Sequence, residues 1–323
     1  MADHLRWGIL GAAKFAREHM APAIHAARGG SLAAIATSSR DKARPFDDLA
    51  PGIAVHDSYD ALLADPSIDA VYIPLPNSLH VEWSQKAAEA GKHVLCEKPI
   101  AMTAEGIDAL IETRDRTGKL IAEAWMIAHH PQYAKARGLI QDGALGEIVR
   151  VDSTHSFYND DLDNIRNRPE TGGGALADIG IYAFGSIRLL TGQDPQELLS
   201  VQTDMLNGVD ATTHITARFP DFLYTGRISM RAAPWQEIVV HGTSAVLRLP
   251  VPYNAQVFGQ ASVELHRSGG NVETWRFPAE NHYVLQVEAF NRAVSEAADW
   301  PLPLEFSRGT QGWIDDIRNF GNG

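Results

Sequence analysis

The sequence predicts an α/β part followed by an α+β part: a doubly wound parallel sheet, then an open, mostly antiparallel sheet with helices on one face. Three observations predict this. Strand-like and helix-like stretches alternate over the first ~120 residues, the pattern of repeated βαβ units. From Leu198 to Phe277 the pattern changes to short alternating strands separated by tight turns, which indicates antiparallel pairing. The 323 residues are long for one core and suit two domains. The expected boundary divides 1–125, a nucleotide-binding domain, from 126–323, a substrate-binding and oligomerisation domain. The last helix is expected to pack back on the first domain.

Leu5 to Leu10 reads as the first strand. Gly11, Ala12, Ala13, Lys14, Phe15 and Ala16 follow, and a helix is expected from about Lys14 to Ala27. Strand, tight turn and helix N-terminus form the dinucleotide-binding arrangement, here with alanines at the second and third glycine positions. Alanine still allows close backbone approach, and the helix start still offers free N–H groups to a pyrophosphate. A plain strand-to-helix turn is the competing interpretation. The second strand, Ser31 to Thr37, ends in Ser38, Ser39 and Arg40, with no acid before Asp41. An acidic residue there would bond ribose hydroxyls, whereas two hydroxyls and a guanidinium suit a 2′-phosphate. NADP is therefore the expected cofactor, with NAD as second choice. Ser39 also fits as a helix cap, with Arg40 and Lys42 on an exposed face.

A helix at about Tyr59 to Ala64 precedes the strand Asp69 to Ile73. The loop after it places Leu75, Pro76, Asn77 and His80 at a strand's carboxyl end, where α/β sheets bind ligands. Asn77 is equally a candidate N-cap for the helix that runs to Ala90. His93 to Cys96 is a short buried strand that delivers Glu97, Lys98 and Pro99 to the same edge. A lysine there stands where cofactor and substrate meet, and the proline restrains the backbone beside it. Read alone, Glu97 and Lys98 serve equally as a solvated loop pair. A helix (Thr103 to Thr117) and a strand (Leu120 to Ala124) complete the sheet.

His129, His130 and Pro131 border the helix Gln132 to Asp142, and with no carboxylate or cysteine at ligand spacing they read as structural. The strand Ile148 to Ser156 leads into an irregular stretch, Phe157 to Pro169, that carries Arg166 and ends in Gly172, Gly173 and Gly174. The helix Ala175 to Leu190 then places Asp178 and Tyr182 four apart on one face. A carboxylate and a phenol beside glycines that let a ligand approach form a plausible acid/base pair. The alternative is a core tyrosine with a solvated aspartate near a helix start. Helices at Tyr283 to Ala297 and Phe306 to Phe320 close the chain.

The composition is 45% hydrophobic and 21% charged, ordinary for a globular protein. A formal net charge of −12 without a basic tract argues against nucleic acid as a partner. One cysteine, Cys96, excludes an intrachain disulfide, and no Cys/His cluster has zinc spacing, so no metal is expected. No apolar run reaches the ~18 residues of a membrane helix. The sequence enters a strand almost at once, without a leader-like stretch, so a cytoplasmic location is expected. An open sheet needs a cover, which leads to the expectation of a homodimer or homotetramer through the C-terminal sheet.

Taken together, Gly8 to Ala13, Asp69 to His80, Gly91 to Pro99, Glu123 to Met126 with His130 to Gln132, and Gly172 to Tyr182 resemble the Gfo/Idh/MocA oxidoreductase family over nearly the whole chain. The resemblance implies a Rossmann domain before an open β-sheet domain and a nicotinamide cofactor. It implies that Lys98 is the catalytic lysine, that its bond to Pro99 can be cis, and that Tyr182 takes the acid/base place. It adds Glu97 and Trp125 to the cofactor side. Tyrosine at position 182 resembles the branch of NADP-dependent sugar dehydrogenases and dihydrodiol dehydrogenase. Relatives often carry an aromatic and an arginine where this chain has Ile127 and Ala128.

The implied reaction passes hydride from a carbinol of a sugar or polyol to the nicotinamide. Tyr182 would remove the hydroxyl proton, although a free phenol titrates at about 10; the Lys98 ammonium favours the phenolate. Lys98 also stabilises the substrate oxygen, Asp178 orients a hydroxyl or Lys98, and Arg166 contacts substrate or cofactor. Reduction of a keto-sugar or anhydro-sugar is the same chemistry reversed, and trans-dihydrodiols are alternative substrates. The alternative outside enzymes is an NADP- and sugar-sensing regulator.

Overall fold

The computed structural model describes residues 4–321. The chain divides into two compact units, Met1–His129 with His282–Arg308, and His130–Asn281 with Gly309–Gly323.

The first unit carries a six-stranded sheet: β1 (Leu5–Leu10), β2 (Gly30–Ala36), β3 (Ala54–His56), β4 (Ala70–Ile73), β5 (His93–Glu97) and β6 (Ile121–Ala124). The order is β3-β2-β1-β4-β5-β6 and every pair is parallel. This is the Rossmann order, with the chain reversing direction across the sheet at β1 and β4. Between the strands lie α1 (Ala21–Ala26), α2 (Arg40–Leu49), α3 (Tyr59–Leu63), α4 (His80–Glu89) and α5 (Ala104–Thr117). Helices on both faces explain why β4 is buried at every residue, as parallel strands covered on two sides must be. The segment before α1, Ala16–Met20, is π-helical rather than α-helical. Strand β3 has no counterpart among the expected elements. It is three residues long and only half-buried, too short for a period to register.

In the second unit α6 (Pro131–Gln141) precedes β7 (Ile148–Tyr158). A ten-residue π-helix, Leu176–Gly185, then runs into α7 (Ser186–Thr191). Seven further strands follow: β8 (Glu197–Leu206), β9 (Val209–Arg218), β10 (Leu223–Ser229), β11 (Arg231–Gly242), β12 (Ala245–Leu249), β13 (Ala261–Arg267) and β14 (Val272–Phe277). The sheet order is β14-β13-β12-β11-β7-β10-β9-β8. All pairs are antiparallel except β7 with β10. Alternation sets the two faces: in β9, Val209, Ala211, Thr213, Ile215 and Ala217 are buried while His214 and Arg218 are exposed.

The chain closes with α8 (His282–Ser295) and α9 (Leu304–Asn319). Helix α8 belongs to the first unit, where Phe290 packs on Trp7 with ring centroids 4.9 Å apart. The Trp7 indole N–H donates to Asn291 Oδ1 at 3.0 Å. Both rings are fully buried, and each such side chain contributes roughly 1.5–3 kcal/mol of transfer free energy. Gly30 is required here, because a Cβ would lie 2.9 Å from both Trp7 Nε1 and Asn291 Nδ2. Helix α9 begins in the first unit and ends in the second, where Trp313 packs on Phe184, Phe219 and Tyr224.

Candidate active site

In the first unit the candidate residues line the carboxyl ends of β1, β2, β4 and β5. Gly11 has φ +101°, which a side chain would strain, and its N–H donates to Ala36 O at 2.9 Å. A Cβ there would also touch Leu75 and Tyr59. Ala12 and Ala13 are half-buried, and Lys14 and Phe15 are exposed at the helix start. After β2, Ser38 and Arg40 are exposed and Ser39 is half-buried. Ser39 occupies the N-cap position of α2, but its hydroxyl makes no capping bond. Capping therefore does not account for it, and Ser38, Ser39 and Arg40 follow one another after β2 with no acid on the strand end. That donor set fits a 2′-phosphate.

Asn77 is not a helix N-cap. It opens a short 3₁₀ turn, Asn77–Leu79, and Leu79 precedes α4 without a side-chain cap. His80 opens α4. It is fully buried, with Nδ1 2.8 Å from Pro99 O and Nε2 2.8 Å from Leu75 O.

The Lys98–Pro99 peptide bond is cis. Glu97 accepts a hydrogen bond from the buried Tyr72 hydroxyl at 2.6 Å and another from the Lys98 backbone N–H at 3.3 Å. Burial pushes the Glu97 carboxyl up to about 7, against the opposing pull of Tyr72 and the Lys98 charge. Beyond Pro99, the Ile100 N–H donates to Glu123 Oε1 at 2.9 Å, and Ser307 donates to Glu123 Oε2 at 2.7 Å. Burial raises the Glu123 carboxyl as well. Trp125 is buried against Phe306, ring centroids 5.9 Å apart.

In the second unit, Arg166 Nε donates to Asp178 Oδ2 at 2.6 Å, so Asp178 is ion-paired rather than simply solvated. Tyr182 is 6% exposed on the π-helix. Its ring meets His155 (5.6 Å, edge-on) and Tyr253 (5.8 Å, tilted), and His155 stacks on Tyr253 at 4.6 Å. The space left by Gly173 and Gly174 is filled by the protein's own atoms. A Cβ on Gly173 would lie 2.5 Å from Arg166 O, and one on Gly174 would lie 2.2 Å from Asp210 Oδ1. Gly174 also has φ +116°. The space goes to Asp210 of β9, whose Oδ2 accepts the Leu176 N–H at 2.6 Å. Burial raises Asp210 to about 6.

Sequence reasoning does not single out Tyr72, Glu123, Asp210, His155 or Tyr253, although Tyr72 and Glu123 lie within the stretches that carry the resemblance. Each touches a candidate segment from a neighbouring strand or a distant loop. His130 caps α6 through Nδ1, which accepts the Gln132 N–H at 3.2 Å, and the His129 ring lies tilted against Trp300 with centroids 4.8 Å apart. Among the described residues no group of three or more His, Cys, Asp or Glu could hold a metal ion. Nor is any helix among them long and apolar enough to cross a membrane.

Residues 5–124 match the family model described as the oxidoreductase family, NAD-binding Rossmann fold, and residues 133–248 match the GFO/IDH/MocA C-terminal domain. A D-xylose 1-dehydrogenase (NADP(+)) from Haloferax volcanii is 36% identical over 320 residues, 97% of this chain and 96% of that protein. A dTDP-3,4-didehydro-2,6-dideoxy-α-D-glucose 3-reductase from Streptomyces violaceoruber is 32% identical over 303 residues, 91% of this chain and 86% of that protein. A 3-ketoreductase from Actinomadura kijaniata, solved with NADP and TDP-benzene, superposes with a TM-score of 0.90 at 27% identity, over 98% of this chain and 97% of that one. With both domains matched and relatives aligned along almost its full length, this chain belongs to the Gfo/Idh/MocA family of oxidoreductases.

Proposed function

We propose that this protein is an NADP-dependent sugar oxidoreductase that moves hydride between the nicotinamide and a carbinol carbon of an aldose or related polyol. The observation that carries this reading is the carboxyl edge of the parallel sheet. There Gly11, the uncommitted hydroxyls of Ser38 and Ser39, and Arg40 suit a dinucleotide with a 2′-phosphate, and Lys98 stands at the end of β5. NADP, when bound, supplies the hydride acceptor. Ala12, Ala13, Lys14 and Phe15 hold the pyrophosphate side at the helix start. Leu75, Pro76, Asn77, Glu97 and Trp125 shape the nicotinamide side, with His80 behind them.

Lys98 donates a hydrogen bond to the reacting oxygen and stabilises the charge that develops on it. Tyr182 takes the hydroxyl proton in oxidation and returns it in reduction. The Arg166–Asp178 pair orients substrate hydroxyls. The D-xylose dehydrogenase relative supports the oxidative direction with an aldose. The keto-sugar reductase relatives support the same residues working in reverse.

The test is to mix purified protein with NADP+ or NAD+ and a panel of aldoses, inositols and trans-diols, and to follow reduced-nicotinamide absorbance. The reverse assay uses NADPH with keto- and anhydro-sugars. Turnover with NADP+ or NADPH and one sugar class is expected; no turnover in either direction with either cofactor refutes the activity. We also propose that a second copy of the chain covers the open sheet face. Exposed Leu223 and Trp235 lie there, opposite buried Tyr224 and Ile238. Sedimentation equilibrium is expected to give at least a dimer, and a monomer at micromolar concentration would overturn that assignment.

A further inference from the structure

The peptide unit that follows the cis bond is held on both edges by side chains rather than by a sheet ladder. Its carbonyl, Pro99 O, faces His80 Nδ1, and its N–H, from Ile100, donates to the Glu123 carboxylate. His80 is the first residue of α4, and Glu123 belongs to β6. The other ring nitrogen of His80 faces Leu75 O, in the loop after β4. One fully buried imidazole thus touches the two segments that the proposed function sets beside the nicotinamide.

We propose that His80 is a positioning residue for the reaction: it straps the Lys98–Pro99 segment to the Leu75 loop, so that the two move as one piece. The inference rests on the cofactor and lysine assignments above. Its physical basis is the number of donors and acceptors. Two carbonyls accept and neither can donate, so both bonds exist together only when both ring nitrogens carry protons. Burial, the largest influence, and the nearby Lys98 charge outweigh the two hydrogen bonds and lower the imidazole's hold on the second proton, so the neutral ring donates to one of the two carbonyls at a time. A glutamine at this position could donate to one carbonyl, because its own carbonyl repels the other. An alanine would leave both carbonyls buried without a donor.

The test compares wild type with His80→Gln and His80→Ala, without ligand and in the assay. Hydrogen exchange read by mass spectrometry needs neither NADP nor a sugar. In His80→Ala the segments 74–79 and 97–102 are expected to exchange faster together, by about an order of magnitude or more, while α5 and the second unit stay unchanged. His80→Gln should show a partial version of the same change. In turnover, kcat is expected to fall about 100-fold in the alanine variant and about 10-fold in the glutamine variant, with NADP+ affinity within about threefold of wild type. Faster exchange in one segment alone, or in neither, overturns the strap. A fall in kcat matched by an equal loss of NADP+ affinity also overturns it, since that marks a binding role. If alanine prevents folding, the glutamine variant decides on the same criteria. If wild type turns over no sugar, the proposed activity fails and the exchange result alone judges the strap.

Discussion

Lys98 and Tyr182 are fixed in opposite ways. Lys98 directly follows a strand of a parallel sheet, and the backbone after it is gripped by buried side chains from α4 and β6. Tyr182 sits within a π-helix, where the i→i+5 pattern widens the turn, and the helix start is held by a single carboxylate from β9. The first arrangement uses many weak ties around two peptide units. The second centres on one carboxylate, and it needs glycine at 173 and 174 to let Arg166 O and Asp210 come close. A site of the first kind should degrade gradually under substitution; one of the second kind should fail at one point.

The largest expected effect tests whether both places serve chemistry at all. Lys98→Ala and Tyr182→Phe should each lower turnover by roughly 10²–10⁴-fold with NADP+ binding retained, as measured by cofactor titration and steady-state kinetics. Near wild-type turnover in either variant would remove that residue from the mechanism. Next, Arg40→Ala should weaken NADP+ binding by about 10–100-fold and leave NAD+ affinity unchanged, because a charge-assisted bond to the 2′-phosphate contributes about 1.5–3 kcal/mol. Equal losses for both cofactors would contradict the 2′-phosphate assignment.

Gly174→Ala should lower thermal stability by about 1–3 kcal/mol, since φ is +116° and the new Cβ meets Asp210. A neutral change in melting temperature would show that the helix start is looser than its geometry implies. The smallest effect concerns pH. The Asp210 carboxyl is raised from 3.8 to about 6, so the folded state holds its proton more tightly than the unfolded chain does. Its contribution to stability is fully present below pH 3.8 and is lost as pH rises through about 6. Asp210→Asn should flatten that part of the stability curve in urea titrations between these pH values. An unchanged slope would assign the titration to another group.

Much of the first unit was legible in the sequence because its signals are local. Strand, turn and helix alternate, and Glu97, Lys98 and Pro99 follow their strand directly. Ser39 shows the limit: its spacing suited a cap, yet its hydroxyl does not cap. The helix of Asp178 and Tyr182 was legible as a helix, but its π-form was not, because a four-residue spacing places two side chains on one face in either form. The glycines before it suggest, on sequence alone, room for a ligand. Their real neighbour, Asp210, lies more than thirty residues away and is brought there by strand pairing, which no local pattern encodes. His80 shows the same gap in the first unit: the loop spacing placed it at the site, and only tertiary contacts turned it toward Pro99 and Leu75.

The route of the chain also bears on how the protein is made. Strand β1 is synthesised first, yet Trp7 receives Phe290 and Asn291 only when α8 has left the ribosome. Strand β7 pairs with β10 and β11, so it waits for more than sixty further residues before either neighbour exists. Such distant pairings slow folding and leave apolar edges open in the meantime. Neither unit can therefore close as an independent cotranslational step. A nascent chain stopped anywhere before α8 would carry an uncovered Trp7, and truncations there should yield aggregates rather than a stable nucleotide-binding fragment.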